Sequence, residues 1–163
     1  MTRPITLIAI LFHGAIFGFF YAWICSTMWG LDTLPADRAI EAMNAMNASV
    51  RNFAFAPAFF GTPFVSGLAA VLCWRAGAPR AAALCGAAAA LYAGGAMILT
   101  MQINVPMNQA LLRVTPEMIA NDAAAIWAEY SPRWQFWNSV RTAVSGTALA
   151  LVAIAYGQLR ARA

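Results

Sequence analysis

The first long apolar run of the chain, residues 5–29, reads ITLIAILFHGAIFGFFYAWICSTMW and contains no Asp, Glu, Lys or Arg. A helix needs about 20 apolar residues to cross roughly 30 Å of hydrocarbon. The run is longer than the apolar part of a cleaved signal peptide, which is about 7–15 residues. It therefore predicts a transmembrane helix that is retained in the protein.

Three further apolar runs predict a second, third and fourth span. The four predicted spans cover about residues 5–29, 53–74, 81–103 and 134–159. Two prolines, Pro57 and Pro63, are expected to kink the second span. No stretch alternates with period two, as a transmembrane β-strand would. The predicted fold is an all-α membrane four-helix bundle that forms one domain over residues 1–163.

The composition agrees with lipid as the solvent of this chain. Hydrophobic residues make up 62% of the 163 residues and charged residues 10%, which is too little charge for a soluble surface. All ten basic residues are scattered arginines, so there is no basic stripe for nucleic acid. Cys25, Cys73 and Cys85 have no CxxC spacing and predict small packed hydrophobes. No metal site is predicted.

The two long connections, residues 30–52 and 104–133, carry all six acidic residues. Each contains a helix-like stretch, at residues 36–52 and 116–130. These helical segments are expected to lie at the membrane interface or to fold back onto the bundle.

The charge distribution predicts the orientation in the membrane. With four spans, both termini and the short turn at residues 75–80 share one side. That side collects five positive charges and no acid: Arg3, Arg75, Arg80, Arg160 and Arg162. The positive-inside rule places this side in the cytoplasm. The chain is thus predicted to be integral to the inner or plasma membrane, with both termini cytoplasmic.

Polar side chains gather in three clusters on the opposite, outer side. In the first, MNAMNASVRN at residues 43–52, Asn47 and Arg51 share one helical face. In the second, NVPMN at residues 104–108, Asn104 and Asn108 are four residues apart. Pro106 is expected to break or restart the helix there. The bland alternatives are an interfacial helix with its polar face in water and a helix end capped by asparagines.

The third cluster is WAEYSPRWQFWNSVRT at residues 127–142. Asn138 and Arg141 fall on one helical face, with Trp134 one turn earlier, while Trp127 and Tyr130 belong to an aromatic belt or a pocket wall. Arg141 begins the last apolar run. It either snorkels to the headgroups or pairs with an acidic side chain or a ligand.

The only histidine of the chain, His13, lies inside the first predicted span. An intramembrane histidine is a candidate base, proton relay or axial haem ligand. The ordinary alternative is a hydrogen bond between helices.

The clusters together resemble the DUF1772, or anthrone oxygenase-like, family of membrane proteins. The resemblance rests on NVPMN at 104–108 and on W-x-x-Y-x-x-x-W-x-x-x-N-x-x-R-T at 127–142. The pattern A-M-N-x-x-x-x-x-V-R-N-x-x-F at 42–55 is compatible with it. Some fungal members oxidise anthrones to anthraquinones with molecular oxygen and without a metal or flavin.

The resemblance implies a membrane-embedded monooxygenase without a cofactor, acting on an anthrone, polyketide or quinone-like small molecule. Arg141 and His13 are then the catalytic candidates, and Glu129 is a second candidate base. The substrate-binding candidates are Asn47, Arg51, Asn104, Asn108, Trp127, Tyr130, Trp134 and Asn138. The alternatives are a non-catalytic membrane binding or assembly protein, in which Arg141 ties helices together, and a haem protein with His13 as ligand. Small-residue faces also allow a homo-oligomer.

Overall fold

The computed structural model of the protein describes residues 1–159. It contains seven α-helices with three π-helical turns between them, and these described residues form no strand. The helices are α1 (Thr2–Ala22), α2 (Met28–Asp32), α3 (Ala36–Ser49), α4 (Phe55–Arg75), α5 (Pro79–Tyr92), α6 (Val105–Leu112) and α7 (Pro116–Gln158). The π turns cover Trp23–Thr27, Ala93–Ile98 and Thr100–Asn104.

Four continuous helical spans are long and apolar enough to cross a membrane, which confirms the predicted all-α membrane bundle. They are span one (Thr2–Asp32), span two (Phe55–Arg75), span three (Pro79–Leu112) and span four (Pro116–Gln158). Large apolar side chains such as Leu11, Phe64 and Leu68 remain exposed on the outside of the bundle. A patch of this kind is stable against lipid and not against water. The protein is therefore an integral membrane protein.

Spans three and four are longer than predicted. The apolar runs set their expected limits at residues 103 and 134, but the helices continue beyond the hydrophobic stretches to Leu112 and back to Pro116. Only Arg113, Val114 and Thr115 connect them, and the Thr115 side chain caps the new helix by accepting from the Met118 N–H. The predicted segment 116–130 is thus joined to span four, and non-helical φ/ψ angles at Asp122 separate its first turns from the rest of α7.

One end of the bundle, the turn end, holds the start of the chain, the turn after α4 and the end of α7. Gly77 adopts φ +73°, in the left-handed region that favours glycine. Its N–H donates to the Trp74 carbonyl and the Ala78 N–H to the Cys73 carbonyl, which closes α4 with a Schellman motif. Arg3 reaches across to donate to the Tyr156 hydroxyl at 3.1 Å. Arg160 and Arg162, which the orientation prediction also uses, lie outside the described residues.

The other end, the loop end, is covered by α3, which folds back onto the bundle. Ala39, Ile40 and Met43 are fully buried on its inner face, in an apolar cluster with Trp127 and Tyr130 of span four. Of the two expectations for this segment, folding back is the one that the structure shows. The loop end of the bundle therefore has an apolar roof.

Of the two outcomes predicted at Pro106, a break or a restart of the helix, the structure shows a restart without a break in span three. The π turn Thr100–Asn104 ends directly before α6, in which Pro106 is among the first residues. The Val105 N–H bonds the Thr100 carbonyl five residues back, so the backbone is rewound where the proline lacks its donor. The helix stays continuous, and its register changes just before Asn104 and Asn108.

The prolines of span two also leave their helix continuous. Pro57 lies in the first turn of α4, where its missing N–H removes no helical bond, and α4 runs through Pro63 to Arg75. In span four the departure from helical geometry is at Asp122, with φ −135° and ψ 20°.

The interior of the bundle is built largely from small side chains, which let helices approach closely in lipid. Buried alanines line all spans, and buried Cys73 and Cys85 pack among them as predicted. The closest approach involves Gly95 on span three. A Cβ added there would lie 2.9 Å from Cγ1 of Val144 on span four.

This approach predicts a sharp difference between two adjacent glycines. Gly95→Ala should lower the free energy of unfolding by about 1–3 kcal/mol, because the β-branched Val144 cannot move aside without strain. Gly94→Ala is the matched control, since its added Cβ has nothing within 4 Å. Val144→Ala should restore most of the loss in the Gly95→Ala background. Denaturant titration in detergent micelles measures all three, and equal stabilities of the two glycine variants would contradict the packing argument.

Candidate ligand cavity

A cavity of about 370 Å³ lies between the spans under the loop end. Seven of its seventeen lining residues are aromatic and seven are polar, and the polar ones come from spans three and four and from the end of α3. The lining side chains are Phe19, Phe20, Trp23, Asn47, Val50, Arg51, Phe55, Phe59, Phe60, Thr100, Met101, Asn104, Val105, Asn108, Gln109, Trp134 and Arg141.

Arg141 is the buried cation of this cavity, with only 4% of its surface exposed. Its guanidinium donates to Thr100 Oγ1 at 3.1 Å and to Asn138 Oδ1 at 2.9 Å. It lies 4.6 Å from the centre of the Phe20 ring and 5.3 Å from that of Trp134, so both rings contribute cation–π attraction. Its Nε has no hydrogen-bond partner.

No carboxylate neutralises Arg141 in the described part of the chain. The ion pairs found there involve Arg38, which is exposed on α3 and bonds Glu41 and Asp37. A buried charge is costly unless it is paired, and a buried arginine binds planar anionic oxygens well. The unneutralised Arg141 is therefore suited to a ligand that carries or develops negative charge.

Asn138 holds Arg141 in place and does not itself line the cavity. Its Nδ2 donates to the Phe20 carbonyl at 3.0 Å, just before the π turn of span one, and its Oδ1 accepts from Arg141. Because the amide is fixed at both ends, it directs the guanidinium toward span three. Among the predicted substrate-binding residues, Asn138 is thus placed as a positioning residue.

Asn104 is the lining side chain of the cavity whose amide nitrogen and oxygen are both buried without a partner. It is 1% exposed, and neither its Nδ2 nor its Oδ1 has a hydrogen-bond partner. A buried amide without partners costs about 1–3 kcal/mol. Thr100, which bonds Arg141, lies one turn earlier on the same helix. A ligand at Arg141 would therefore meet a free donor and a free acceptor at Asn104.

Asn108, one turn further along span three, is fully engaged with the protein. Its Oδ1 accepts from the Tyr130 hydroxyl at 2.8 Å and from Trp134 Nε1 at 2.9 Å. Its Nδ2 donates to Asn47 Oδ1 at 2.9 Å, which ties α3 to the bundle. Asn47 keeps an unpartnered Nδ2. Asn108 is thus the centre of a hydrogen-bond network that closes the cavity on its loop-end side.

Trp127 and Tyr130 lie above the cavity and do not line it. Trp127 donates to the Asp32 carboxylate at 2.9 Å, and so do Ser131 at 2.7 Å and Gln135 at 2.9 Å. The sequence analysis missed Asp32, although its position directly after an apolar span is a signal for an anchoring carboxylate. These bonds fasten the end of span one to span four.

His13 also lies apart from the cavity and lines none of those described. Its Nε2 is 2.8 Å from Ser66 Oγ on span two, and its ring packs edge-on against Tyr92 of span three. This is the hydrogen bond between helices that the sequence left as the ordinary alternative. Axial ligation of haem through Nε2 would require the bond to Ser66 to open, and a Soret band in the purified protein would report haem binding.

Of the remaining candidates, Arg51 and Trp134 line the cavity, and Arg51 is exposed at its rim. Glu129 is exposed and lines a separate groove beside Arg133. Six of the ten predicted site residues therefore meet at one cavity: Asn47, Arg51, Asn104, Asn108, Trp134 and Arg141. Thr100 and the phenylalanines of spans one and two were missed, because apolar side chains in a span carry no signal for a pocket.

Residues 1–159 contain no group of three or more His, Cys, Asp or Glu side chains that could hold a metal ion. Fold and cavity together define a four-span membrane protein with a lipid-level aromatic pocket around a buried arginine.

The sequence matches the model of the anthrone oxygenase family over residues 50–151, more than half of the chain. The chain belongs to this family, as the motifs at 104–108 and 127–142 predicted. The match includes spans two and three and the part of span four that carries Asn138 and Arg141. Comparisons with curated proteins and with solved structures gave no match.

The contrast between Asn104 and Asn108 gives a test that separates ligand-facing from structural groups. Asn108→Leu should lower the free energy of unfolding by at least about 2 kcal/mol, because it leaves several buried polar groups unpaired. Asn104→Leu, on the same helix and of the same size change, should leave stability unchanged or raise it. Thermal unfolding in detergent measures both. Equal destabilisation would show that Asn104 also has a structural partner.

Proposed function

We propose that the protein is a membrane-embedded oxygenase that acts on a flat, hydrophobic aromatic molecule of the anthrone, polyketide or quinone type. Membership of the anthrone oxygenase family supports this reaction class. The observation that carries the proposal is the buried, unneutralised Arg141 beside the unsatisfied Asn104 in an aromatic cavity.

The size and wall of the cavity suit such a molecule. Small-molecule pockets hold about 300–1,000 Å³ and are mostly apolar with a few convergent polar groups. Here the walls are aromatic side chains, among them Phe20, Phe59 and Trp134, against which a planar ring system packs well. The buried polar groups Thr100, Asn104 and Arg141 lie on spans three and four. A ring system would thus be held with its oxygen toward Arg141.

The chemistry requires an anion. An anthrone loses a proton from its central ring and becomes a delocalised anion with negative charge on the carbonyl oxygen. This anion reduces molecular oxygen and forms a C–O bond, which gives a hydroperoxide after protonation. Loss of one water then leaves the anthraquinone, so one O2 is consumed and one water is formed per substrate.

Arg141 would stabilise the anion and so accelerate its formation from the substrate, the step that the protein can accelerate most. A fixed cation in a site of low dielectric constant is worth more than in water and needs no reorganisation during reaction. Asn138 and Thr100 hold it before the substrate arrives. Asn104 would hydrogen-bond a second oxygen of the substrate. No protein-bound metal or flavin is needed in this scheme.

The substrate proton needs an acceptor outside the cavity lining. The lining of the cavity includes no Asp, Glu or His side chain. His13 is seven residues from Phe20 on span one, or about 10 Å along the helix. It would act through an intervening proton carrier, and otherwise the proton leaves by the rim at Arg51. In both cases Arg141 makes the substrate more acidic.

Turnover of 1,8-dihydroxyanthrone by the full-length protein in nanodiscs tests the proposal. Arg141→Gln should reduce the rate about 10²-fold, as expected when one preorganised charge donor is lost. Arg113→Gln, an exposed arginine at the loop end, is the matched control and should keep full activity. An oxygen electrode and quinone absorbance give the rate above spontaneous oxidation. A wild-type protein that adds nothing to that background would refute the reaction.

A non-catalytic assembly role is the competing proposal, favoured by the bond between Arg141 and Thr100, which ties span four to span three. It predicts that Arg141→Gln lowers the unfolding temperature while the wild type neither binds nor oxidises the anthrone. The oxygenase proposal predicts loss of turnover in a variant that still folds. The two measurements on the same preparation separate these roles.

We also propose that the turn end faces the cytoplasm and that the cavity faces the outer side. Arg3, Arg75 and Arg80 lie at the turn end, which has no acidic residue among those described. The six acids lie on the loop-end side, as the positive-inside rule leads one to expect for an outer face.

A reporter at the C-terminus checks this orientation. Green fluorescent protein fused after residue 163 should fluoresce, because it folds in the cytoplasm, and alkaline phosphatase fused there should be inactive. A phosphatase inserted between Asp32 and Ala36 is the matched control and should be active. The reverse pattern would place the cavity on the inner side.

A further inference from the structure

The rim of the cavity has two chemically different parts. Four lining side chains are exposed: Phe60 and Met101, each 48% exposed, and the polar Arg51 and Gln109. The apolar pair joins span two to the π turn of span three. The polar pair lies nearer the loop end. A single cavity thus has an apolar edge and a polar edge.

The apolar edge lies at membrane depth. Phe60 is five residues inside the start of α4, or about 7 Å along the helix, and Met101 is eleven residues, or about 16 Å, before the end of α6. The exposed Phe64 and Ile98 continue the same apolar outer surface toward the turn end. The edge at Phe60 and Met101 is therefore in contact with hydrocarbon.

Spans two and three separate where the apolar edge begins. Their packing is extensive along α4 and α5 and is nearly absent beside the π turn Thr100–Asn104. At the turn end the two helices are joined by the tight Gly77 turn, so they diverge toward the loop end. Phe60 and Met101, which are both exposed and both line the cavity, border it on the side where the two spans diverge.

The opposite wall is closed by packed aromatic rings. Phe19 and Phe55 have ring centroids 4.7 Å apart and separate the cavity from a surface groove between spans one and two. Phe55 also stacks on Phe59 at 5.2 Å. On the side of Phe60 and Met101, the ring of Phe60 packs edge-on against Phe59 of the same helix at 4.9 Å, and in the described structure it pairs with no ring of span three.

We propose that the cavity is loaded sideways from the bilayer, through a slot between spans two and three, with Phe60 and Met101 as its gate. The occupant is an uncharged, lipid-dissolved aromatic molecule. Its identity as a substrate rests on the proposed function, whereas the slot itself does not. The polar edge at Arg51 and Gln109 is the side through which water and protons exchange.

Physical chemistry favours this division. A flat apolar molecule dissolves in the hydrocarbon and reaches a high local concentration there, and passage through an apolar slot avoids transfer through water. A gate made of single side chains opens by rotamer changes and does not require the helices to move apart. Arg141 lies at the inner end of the path, so the ligand contacts this charge only after the ligand has left the lipid.

Labelling of a cysteine inside the cavity tests the slot without any substrate. Asn104→Cys is introduced into a Cys25→Ala, Cys73→Ala, Cys85→Ala background of the full chain in vesicles. N-phenylmaleimide, which dissolves in the bilayer, should label this cysteine, and a sulfonated maleimide, which does not, should label it far more slowly. Asn104 suits this purpose because its side chain has no partner to lose.

Gate variants then identify the route. Met101→Phe should slow labelling by N-phenylmaleimide about fivefold because the ring fills the slot, and Met101→Ala should speed it about threefold. Gln109→Phe, which narrows the polar edge, is the matched control and should change the rate less than about twofold. A Leu68→Cys site on the lipid face corrects for the reagent's concentration in the membrane.

Labelling slowed by Gln109→Phe and unaffected by both Met101 variants would overturn the proposal in favour of entry from water. Faster labelling in Phe55→Ala alone would point to the side of spans one and two and would also overturn it. If labelling follows the gate variants while the wild-type protein shows no anthrone turnover, the proposed reaction is refuted and the slot stands.

Discussion

The structure around the cavity depends on a cation buried in the bundle without a carboxylate to neutralise it. Arg141 is kept by two neutral hydrogen-bond acceptors and two aromatic rings, which compensate part of its desolvation. Thr100 comes from a π turn of span three and Phe20 from span one, whereas Asn138 and Trp134 lie on span four with Arg141. The three spans are therefore positioned relative to one another by a single side chain.

The π turns explain how span three brings its polar side chains to the interior beside Arg141. In a regular α-helix, side chains four residues apart drift slowly around the axis, and Pro106 would interrupt the backbone bonds. Rewinding at Ala93–Ile98 and Thr100–Asn104 keeps span three continuous and brings Thr100, Asn104 and Asn108 to the interior. π turns concentrate at functional sites in proteins generally, and here the turn Thr100–Asn104 forms part of the cavity wall.

The sequence predicted the bundle because hydrocarbon thickness constrains composition so strongly that uncharged runs mark the spans. It also gave Asn104 and Arg141 as candidate site residues, because polar side chains in or beside such apolar runs are energetically costly. It could not separate Asn104 from Asn108, since partners depend on the rotation of each helix. For the same kind of reason, the sequence could not decide between a break and a restart of the helix at Pro106. Residue type shows that a backbone donor is missing but not how the neighbouring backbone compensates. Asp32 was missed because its partners lie about a hundred residues further along the chain.

Asp32, at the end of span one, fixes the orientation of α7 at the loop end. Trp127, Ser131 and Gln135 follow one another by four residues along α7, and all donate to this one carboxylate. Three successive turns clamped to a point on span one leave α7 no freedom to rotate about its own axis. Gln135 precedes Arg141 by six residues, or about 9 Å. The Asp32 carboxylate at the loop end thus helps to set the rotation of α7, and with it the direction of the Arg141 guanidinium. Loss of this anchor would rotate Arg141 away from the cavity although the two residues are not in contact.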